Sequence, residues 1–376
     1  MQTFLVGGAV RDTLLGYPIY DRDWVVVGAS PDKMLELGFR PVGKDFPVFI
    51  HPDSGEEYAL ARTERKSGKG YTGFQYHASP DVTLEQDLIR RDLTINAMAM
   101  DDQGKITDPY QGQADLNAKV LRHVSPAFSE DPLRVLRVAR FLARYASMGF
   151  SIAPETMTLM QTLAAGDELE HLTAERVWQE FQRALGETSP EAFLIALQES
   201  NALEALFPEL TTAANHLPTL TAIRQASDAK VRFAILLRTA FIKGASHTEL
   251  SIQKIKTFCD IHRTPNAYRD LALQLCTQSD RLCRFSQLDA TERLTLISEL
   301  GLLRRSEHLP LLLQGCEQIC DEELTAKKQL PELLELLQQI NPQQLMKQGF
   351  KGKALGDAIT QAQWNICQQQ IEGTLE

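Results

Sequence analysis

Long apolar runs are absent from this 376-residue sequence, and no window holds the ~18 uninterrupted apolar residues of a membrane span. The first residues run directly into Gly7-Gly8, without the basic segment, apolar segment or cleavage site of a secretory leader. We therefore expect a cytoplasmic protein. Apolar residues make up 43% of the chain and charged residues 23%, which is typical of a folded protein rather than a disordered one.

Cysteine is scarce and is confined to the last third of the chain. No two cysteines form the CxxC pair of a zinc site, and no histidine lies at ligand spacing from two of them. We expect reduced thiols that pack as small apolar residues. The cysteines are Cys259, Cys276, Cys283, Cys316, Cys320 and Cys367.

An excess of positive charge is also missing. The chain has 39 Lys and Arg against 49 Asp and Glu, a net charge of −10, which argues against broad electrostatic binding of nucleic acid. The segment Leu121–Tyr145 nevertheless carries five arginines against two acidic residues. A polyanion would therefore have to be bound at a focused site.

Strands and helices alternate over about the first 110 residues. Phe4–Val6 and Trp24–Val27 are short β-rich runs, and Val48–Ile50 with Glu57–Ala61 predicts a hairpin around a Pro-Asp-Ser-Gly turn. Arg62–Tyr76 holds few apolar residues and predicts a loop. These patterns indicate a small mixed-sheet domain.

Helical spacing of apolar residues begins at Leu84–Met100 and dominates after Pro109. The overall prediction is an α+β chain, with a small N-terminal mixed-sheet domain followed by an elongated all-helical region. The predicted helices beyond Pro109 are Asp131–Tyr145, Pro154–Ala165, Ala174–Leu185, Pro190–Gln198, Lys230–Ile242, Thr291–Leu303 and Pro331–Gln339.

Gly7-Gly8 lies between the first predicted strand and a predicted helix. Backbone N–H groups at such a helix start can receive phosphate oxygens, and glycine lets a phosphate approach closely. Arg11, one turn into the helix, would add a charged fork to the same anion. Taken alone, the pattern fits a purely structural turn equally well.

Asp21 and Asp23 lead into the second predicted strand, where side chains two residues apart share a face. Two adjacent carboxylates suit Mg²⁺, which binds through one or two carboxylates and substrate phosphates. Because paired like charges cost energy unless a cation lies between them, the pair predicts a catalytic metal site. Glu57, at the start of a neighbouring strand, is a further candidate ligand, and a charged turn is the alternative interpretation.

Four ordered motifs over residues 7–180 resemble one enzyme family. Gly7–Asp12 with Asp21-Arg22-Asp23 resembles the active-site signature of the polymerase-β-like nucleotidyltransferases, in particular the bacterial class II CCA-adding enzymes. Arg90–Ala97 resembles the second motif of that family, and Glu130–Arg134 its nucleotide-selecting motif. Glu175–Glu180 fits its Glu-Arg-x-x-x-Glu helix, for which we expect a structural role.

The resemblance implies roles for individual residues. Asp21 and Asp23 would be catalytic and would bind Mg²⁺, Arg91 would hold triphosphate oxygens, and Asp92 with Asn96 would contact the ribose or position Arg91. Arg90-Arg91-Asp92 also fits an ion cluster on a helix surface. The implied nucleotide-binding residues are Gly8, Arg11, Arg91, Asp131, Arg134, Arg137 and Arg140, with Gly7, Asp92, Asn96 and Glu57 as secondary candidates.

A charged stripe recurs every three or four residues at Asp131, Arg134, Arg137, Arg140 and Arg144. The arginines would repel one another unless an anion such as a triphosphate joined them; a solvated basic face is the alternative. Cytosine and adenine both offer an amino donor beside a ring-nitrogen acceptor. A carboxylate only accepts and a guanidinium only donates, so Asp131 and Arg134 are expected to act as the template.

The implied reaction is attack of a tRNA 3′-hydroxyl on the α-phosphorus of CTP or ATP, with release of pyrophosphate. The partner would be tRNA, gripped by shape at its acceptor stem and elbow, with neither DNA nor a membrane. Two alternatives stay open: a poly(A) polymerase or partial CC- or A-adding enzyme, and a non-catalytic tRNA- or nucleotide-binding protein. The implied division is a catalytic head (1–110), neck (111–165), body (166–265) and tail (266–376).

Some class II relatives carry an appended HD phosphohydrolase domain, whose His-Asp pair binds metal. Arg238 and Thr239 stand where that pair would be expected here. We therefore expect no phosphatase activity of this type.

Overall fold

The computed structural model describes residues 1–19, 21–42, 48–66, 74–242, 248–320 and 323–373. The chain divides into two compact units, Met1–Pro208 and Glu209–Glu376. The first unit contains the strands β1 (Gln2–Val6), β2 (Asp23–Val27), β3 (Arg40–Val42), β4 (Val48–Ile50), β5 (Glu57–Leu60), β6 (Arg62–Lys66), β7 (Phe74–Ala78), β8 (Ala99–Met100), β9 (Ile106–Thr107), β10 (Val120–Leu121) and β11 (Ser151–Ile152).

Helices of the first unit follow or interrupt these strands. They are α1 (Gly8–Leu15), α2 (Pro31–Glu36), α3 (Leu84–Leu88), α4 (Gly112–Ala118), α5 (Leu133–Tyr145), α6 (Pro154–Ala164), α7 (Ala174–Gly186), α8 (Pro190–Glu199) and α9 (Ala202–Leu206). The α+β prediction of an N-terminal mixed sheet followed by a helical chain is confirmed.

A mixed sheet with strand order β3-β4-β5-β2-β1-β8-β9 forms the centre of the N-terminal region. Strands β2 and β5 pair in parallel, and the other neighbours pair antiparallel. Alternation along β2 gives each face its own core: Val25 packs with Leu84 and Leu88, whereas Val26 packs with Met34 and Phe39. Both faces are therefore covered, and the β1–α1 turn lies beside the start of β2.

Two expectations for residues 62–100 are wrong. The predicted loop Arg62–Tyr76 contains β6 and β7, which pair antiparallel from Arg62↔Ala78 to Lys66↔Phe74, while its tip at 67–73 lies outside the described residues. Backbone hydrogen bonds form this ladder, so the shortage of apolar residues does not reveal it.

The predicted helix Leu84–Met100 stops at Leu88. The Asp92 carboxylate accepts a hydrogen bond from the backbone N–H of Leu93, which competes with a helical backbone bond. A 3₁₀ turn follows at Thr94–Asn96, and Ala99–Met100 then pairs with β1. The apolar spacing imitates that of a helix because several short elements bury these residues.

Helix α5 is the central helix of the first unit and packs against α7 and α8. Several of its apolar residues, including Val135, Leu136 and Ala139, are completely buried. Pro132 occupies the N-cap, where a missing N–H costs nothing. In this arrangement the arginines of α5 contact α1, α7 and the segment that follows α3.

The second unit is helical throughout its described residues. Its helices are α10 (Thr211–Ala214), α11 (Leu217–Gln225), α12 (Ala229–Phe241), α13 (Glu249–Ile261), α14 (Asn266–Cys283), α15 (Ala290–Leu300), α16 (Leu309–Glu317), α17 (Ala326–Gln338), α18 (Pro342–Lys347) and α19 (Lys353–Glu372). Helix α12 is the central one and packs against α11, α13, α14 and α16.

The predicted helix start at Pro331 is wrong, because α17 begins at Ala326 and carries Pro331 inside it. The four-part division of the chain stays a prediction.

The expectation of six reduced thiols is wrong for one pair. Cys283 and Cys320 form a disulfide, whereas the other four cysteines are free and buried. Burial raises the pKa of Cys259 and Cys367 to about 11 and that of Cys276 and Cys316 to about 12. These four thiols therefore behave as small apolar groups, as expected.

Among the described residues, no helix combines the length and apolarity that a bilayer crossing demands.

Burial of His262 predicts acid sensitivity. It lowers the pKa of the imidazole to about 4, so the unfolded chain binds a proton more readily between about pH 6.5 and 4. The contribution of His262 to stability is intact above pH 6.5 and is lost as the pH falls. The unfolding free energy of the parent should fall between pH 7 and pH 5. In His262→Gln this fall should be smaller by about 2 kcal/mol, as measured by urea titration at the two pH values. His216→Gln, at an exposed histidine of the same unit, is the control and should retain the full pH dependence.

Candidate active site

A cavity of about 670 Å³ opens within the first unit, between the β1–α1 turn, the start of β2, the segment after α3 and the charged stripe of α5. It brings together residues from all of the first three motifs. The predicted site residues that line it are Gly7, Gly8, Arg11, Asp21, Asp23, Arg91, Asp92, Asn96, Asp131, Arg134, Arg137 and Arg140.

The glycine turn has a backbone conformation that requires glycine. Gly7 is the N-cap of α1 with φ 66° and ψ −128°, a combination that side-chain-bearing residues avoid. A Cβ atom on Gly7 would lie 2.8 Å from Nη1 of Arg91. The missing side chain therefore lets the Arg91 guanidinium lie against the start of the helix.

The two aspartates line the same cavity, although only Asp23 belongs to β2. Burial raises the pKa of Asp23 most; the positive charge of Arg91 opposes this shift, and the negative charge of Asp21 adds to it. A pair of like-charged carboxylates that line one cavity fits a divalent cation. No cluster of three His, Cys, Asp or Glu able to hold a metal occurs among the described residues, so this fit rests on two carboxylates.

Glu57 does not join the pair. It is aligned with Asp23 in the parallel ladder, but it is not among the described residues lining the cavity. Its neighbour Glu56 accepts a hydrogen bond from Trp24 Nε1 at 3.0 Å. The structure therefore gives no support to Glu57 as a third ligand.

Arg11 differs from the expectation of a guanidinium held out to an anion. It is 3% exposed and donates from Nε to Asp12 at 2.9 Å and from Nη1 to the Asn96 side-chain oxygen at 2.5 Å. Its guanidinium carbon also lies 5.3 Å from the centre of the Phe141 ring. Arg11 lines the cavity but is held mainly by the protein.

Asp92 and Asn96 are linked to each other by a hydrogen bond. The Asn96 amide donates to Asp92 Oδ1 at 2.9 Å, and Arg137 Nε donates to Asp92 Oδ2 at 2.8 Å. Burial alone would raise the pKa of Asp92, but the Arg137 charge and the hydrogen bonds hold it well below its usual range. The pair thus holds Arg137 and Arg11, and the Asn96 backbone carbonyl also accepts from Arg91 Nη1 at 3.5 Å.

The arginines of α5 do not need a triphosphate to relieve their repulsion, which corrects the expectation from the sequence. Three of them meet a carboxylate from another element: Arg137 meets Asp92, Arg140 meets Glu180 at 2.5 Å, and Arg144 meets Asp12 at 3.4 Å. The ion-paired supporting role expected for the Glu175–Glu180 motif is confirmed by the Glu180 contact.

The proposed template residues are both anchored. Asp131 precedes α5 and accepts from the backbone N–H of Leu133 at 3.2 Å and from Arg176 at 2.9 Å. Arg134 donates to the backbone carbonyls of Ala127, at 2.7 Å, and Arg90. These bonds hold a carboxylate and a guanidinium side by side at the cavity wall.

Several residues of the cavity wall were not predicted from the sequence as site residues. Arg62 begins β6, within a segment that the sequence predicts to be a loop, and Asp12 entered only as part of a motif. The pairing of Asp12 with Arg144 spans 132 residues, so only a long-range contact could reveal it. Arg144 was expected only as a member of the charged stripe, and the missed lining residues are Ala9, Asp12, Arg62, Arg90, Leu133, Phe141 and Arg176.

Two family models match the chain. The Poly A polymerase head domain matches residues 3–122, and the probable RNA and SrmB-binding site of polymerase A matches residues 149–213. The chain is also similar to solved structures. It resembles the Bacillus stearothermophilus CCA-adding enzyme in complex with CTP, with TM-score 0.65, 24% identity, and coverage of 100% of this chain and 89% of that one. It resembles a tRNA-processing enzyme complex with TM-score 0.63, 25% identity, and coverage of 97% of each chain.

Curated relatives match nearly the whole chain. The Multifunctional CCA protein of Hahella chejuensis is 47% identical, covering 96% of this chain and 93% of the relative. The protein of the same name from Vibrio cholerae is 50% identical, covering 84% and 85%. The chain therefore belongs to the family of the bacterial multifunctional CCA proteins, in agreement with the predicted resemblance to class II CCA-adding enzymes.

Proposed function

We propose that this protein is a CCA tRNA nucleotidyltransferase, which adds and repairs the 3′-terminal CCA of tRNA with CTP and ATP and releases pyrophosphate. The observation that carries the proposal is the single cavity in which Asp21 and Asp23 face a wall of anchored arginines. Carboxylates suit a cation and arginines suit phosphates, so the two sides of the cavity match the two halves of a metal–triphosphate complex.

Enzymes of this family and fold depend on a divalent cation, and we propose Mg²⁺ held by Asp21 and Asp23. When bound there, it would lower the pKa of the attacking hydroxyl and neutralise charge on the reacting phosphates. Glu57 is not included in the proposed ligand set.

The remaining residues of the cavity bind and orient the nucleotide. The glycine turn lets the Arg91 guanidinium lie against the start of α1, where a phosphate would meet both this charge and the backbone N–H groups of the helix. A guanidinium has five N–H donors; Arg137 binds Asp92 through Nε and Nη2 and lies 3.9 Å from Glu180 through Nη1, and its further N–H donors would serve the triphosphate. Arg140 is held by Glu180 and adds positive charge at the same wall.

Base selection is assigned to Asp131 and Arg134. Asp131 would accept from the amino group of cytosine or adenine, and Arg134 would donate to the adjacent ring nitrogen. Uracil and guanine would present a carbonyl oxygen to the carboxylate and leave buried polar groups unpaired. The hydrogen bonds from Arg176 and to Ala127 keep both side chains in place before a base arrives.

Each alternative function predicts a different product at the 3′ end of tRNA: a run of A, only CC or only A, or no addition. The Poly A polymerase head model covers only residues 3–122, a segment that does not by itself distinguish CCA addition from poly(A) synthesis. A non-catalytic binding protein would have no need for two adjacent carboxylates in a phosphate-binding cavity.

We propose that the protein binds tRNA at its acceptor stem and elbow. The cytoplasmic location stays a prediction.

The absence of HD-type phosphatase activity also stays a prediction. Arg238 donates to Ser279 Oγ at 2.9 Å and pairs with Asp280 at 3.0 Å, and Thr239 shares a hydrogen bond with Thr219. Both side chains thus have structural partners inside the second unit.

Removal of either aspartate should abolish nucleotide addition. In Mg²⁺, the parent protein is expected to extend tRNA transcripts that end before CCA, after C and after CC, each with the correct labelled nucleotide. Asp21→Ala and Asp23→Ala should fold but incorporate at least about a thousandfold less, because the cation loses half of its protein ligands. Arg22→Ala is the control, since Arg22 lies between them with a half-exposed side chain. Retained turnover in either aspartate variant would refute the metal assignment.

Asp131→Ala should relax the choice of nucleotide. Loss of the acceptor removes the penalty on UTP and GTP, so discrimination by kcat/KM should fall about tenfold or more while the affinity for tRNA stays near that of the parent. Single-nucleotide incorporation on a transcript lacking CCA measures this. Glu130→Ala, at the adjacent acidic residue, should discriminate normally; unchanged discrimination by Asp131→Ala would contradict the template role.

Gly7→Ala should weaken nucleotide binding through Arg91. The new Cβ would displace the guanidinium, and we expect an approximately tenfold higher Kd for CTP by calorimetry. Gly352 is the matched control, because it caps α19 with φ 57° and ψ −129°, and no described atom lies within 4 Å of the position that a Cβ would take there. Gly352→Ala therefore imposes the same backbone strain without the contact. Equal Kd values for the two variants would contradict the proposed role of the turn.

A further inference from the structure

Asp87 is a completely buried carboxylate at the end of α3, close behind the cavity. Its Oδ1 accepts from Arg90 Nη2 at 2.7 Å and from the backbone N–H of Arg62 at 3.3 Å. Its Oδ2 accepts from Arg91 Nη2 at 3.3 Å. One side chain therefore binds two neighbouring arginines and the first residue of the β6–β7 hairpin.

The three partners of Asp87 line the cavity, whereas Asp87 itself is not among the described residues that line it. Arg91 extends from Asp87 to the glycine turn, where its Nη1 also contacts the Asn96 carbonyl at 3.5 Å. Arg90 offers its backbone carbonyl to Arg134. Asp87 thus lies behind both the proposed triphosphate contact and the segment that anchors the proposed base-selecting arginine.

The electrostatics favour a fixed arrangement. A carboxylate with no exposed surface is costly unless it is paired and hydrogen-bonded, and the three donors supply that compensation. The charges of Arg90 and Arg91 hold the pKa of Asp87 below its usual value despite the burial, so it stays ionised at neutral pH. Without this anion, the two guanidinium groups would lose a charge-assisted partner and could adopt other rotamers.

We infer that Asp87 is a positioning residue that holds Arg91 in place for the triphosphate and ties this arginine to the base of the β6–β7 hairpin. The inference rests on the proposed function and extends it to a residue outside the cavity wall. The Asp87 carboxylate accepts hydrogen bonds from both the Arg62 backbone and the Arg91 side chain. A movement of the backbone at the start of β6 would therefore be transmitted to Arg91 through Asp87.

The first test is Asp87→Asn, which keeps the size of the side chain but removes its charge. We expect the KM for CTP and for ATP to rise about tenfold, with the KM for tRNA unchanged. Asp115→Asn is the matched control: Asp115 is also buried, accepts from Thr94 at 2.7 Å and Arg122 at 3.1 Å, and is not among the described residues of the cavity wall. The control should lose stability without a change in the KM for nucleotide.

A double-mutant cycle tests whether Asp87 acts through Arg91. Arg91→Ala alone should raise the KM for nucleotide, and the combination with Asp87→Asn should add less than about twofold to that rise. A merely structural carboxylate would give additive losses. In the parent, saturating CTP should slow amide hydrogen exchange at Arg62, and Asp87→Asn should abolish that response.

Asp87→Glu provides a second variant if Asp87→Asn is not recovered folded. It keeps the charge but moves the carboxylate by one methylene, and it should also raise the KM for CTP. A parent-like KM in a folded Asp87 variant, or additive losses in the cycle, would overturn the positioning role. Absence of nucleotide addition by the parent protein would instead contradict the proposed function, so the two failures are distinguishable.

Discussion

The buried ion pair between Asp92 and Arg137 joins the two halves of the site. Asp92 belongs to the segment that leads into the sheet, and Arg137 belongs to α5, 45 residues further along the chain. Asp92 is 6% exposed and also accepts from Asn96, which in turn accepts from Arg11. Loss of Arg137 would leave the buried Asp92 carboxylate without its hydrogen-bonded cation, so this pair ties α5 to the segment that leads into the sheet.

The same rule applies along the rest of α5. Glu180 neutralises Arg140 and Asp12 neutralises Arg144, so the arginines can be closely spaced in the absence of substrate. Their remaining donors form a wall of positive character that does not have to reorganise when an anion arrives. Arg134 is similarly fixed by two backbone carbonyls, which gives the proposed template a defined orientation.

Local patterns and the resemblance to a known family together predicted much of this site. A period of two residues pairs Asp21 with Asp23, a period of three to four gives the stripe on α5, and the strand–glycine–helix order gives Gly7-Gly8; the structure places all of them on one cavity. Periodicity carries no information on which distant group neutralises a charge. The roles of Asp12 and Asp87, and the hydrogen bond from Arg176 to Asp131, therefore emerged only from the fold. The predicted helix Leu84–Met100 was wrong for a related reason. The Asp92 side chain accepts a hydrogen bond from the Leu93 N–H and so takes the place of a helical backbone bond.

The central claim is that one metal–triphosphate complex fills the space between the acid pair and α5. A crystal structure of the protein with CTP and Mg²⁺ tests it most directly. The account predicts cations on Asp21 and Asp23, the triphosphate between the glycine turn and Arg91, and the cytosine edge against Asp131 and Arg134. Aspartate side chains directed to opposite sides of β2, or a nucleotide bound outside this cavity, would contradict it.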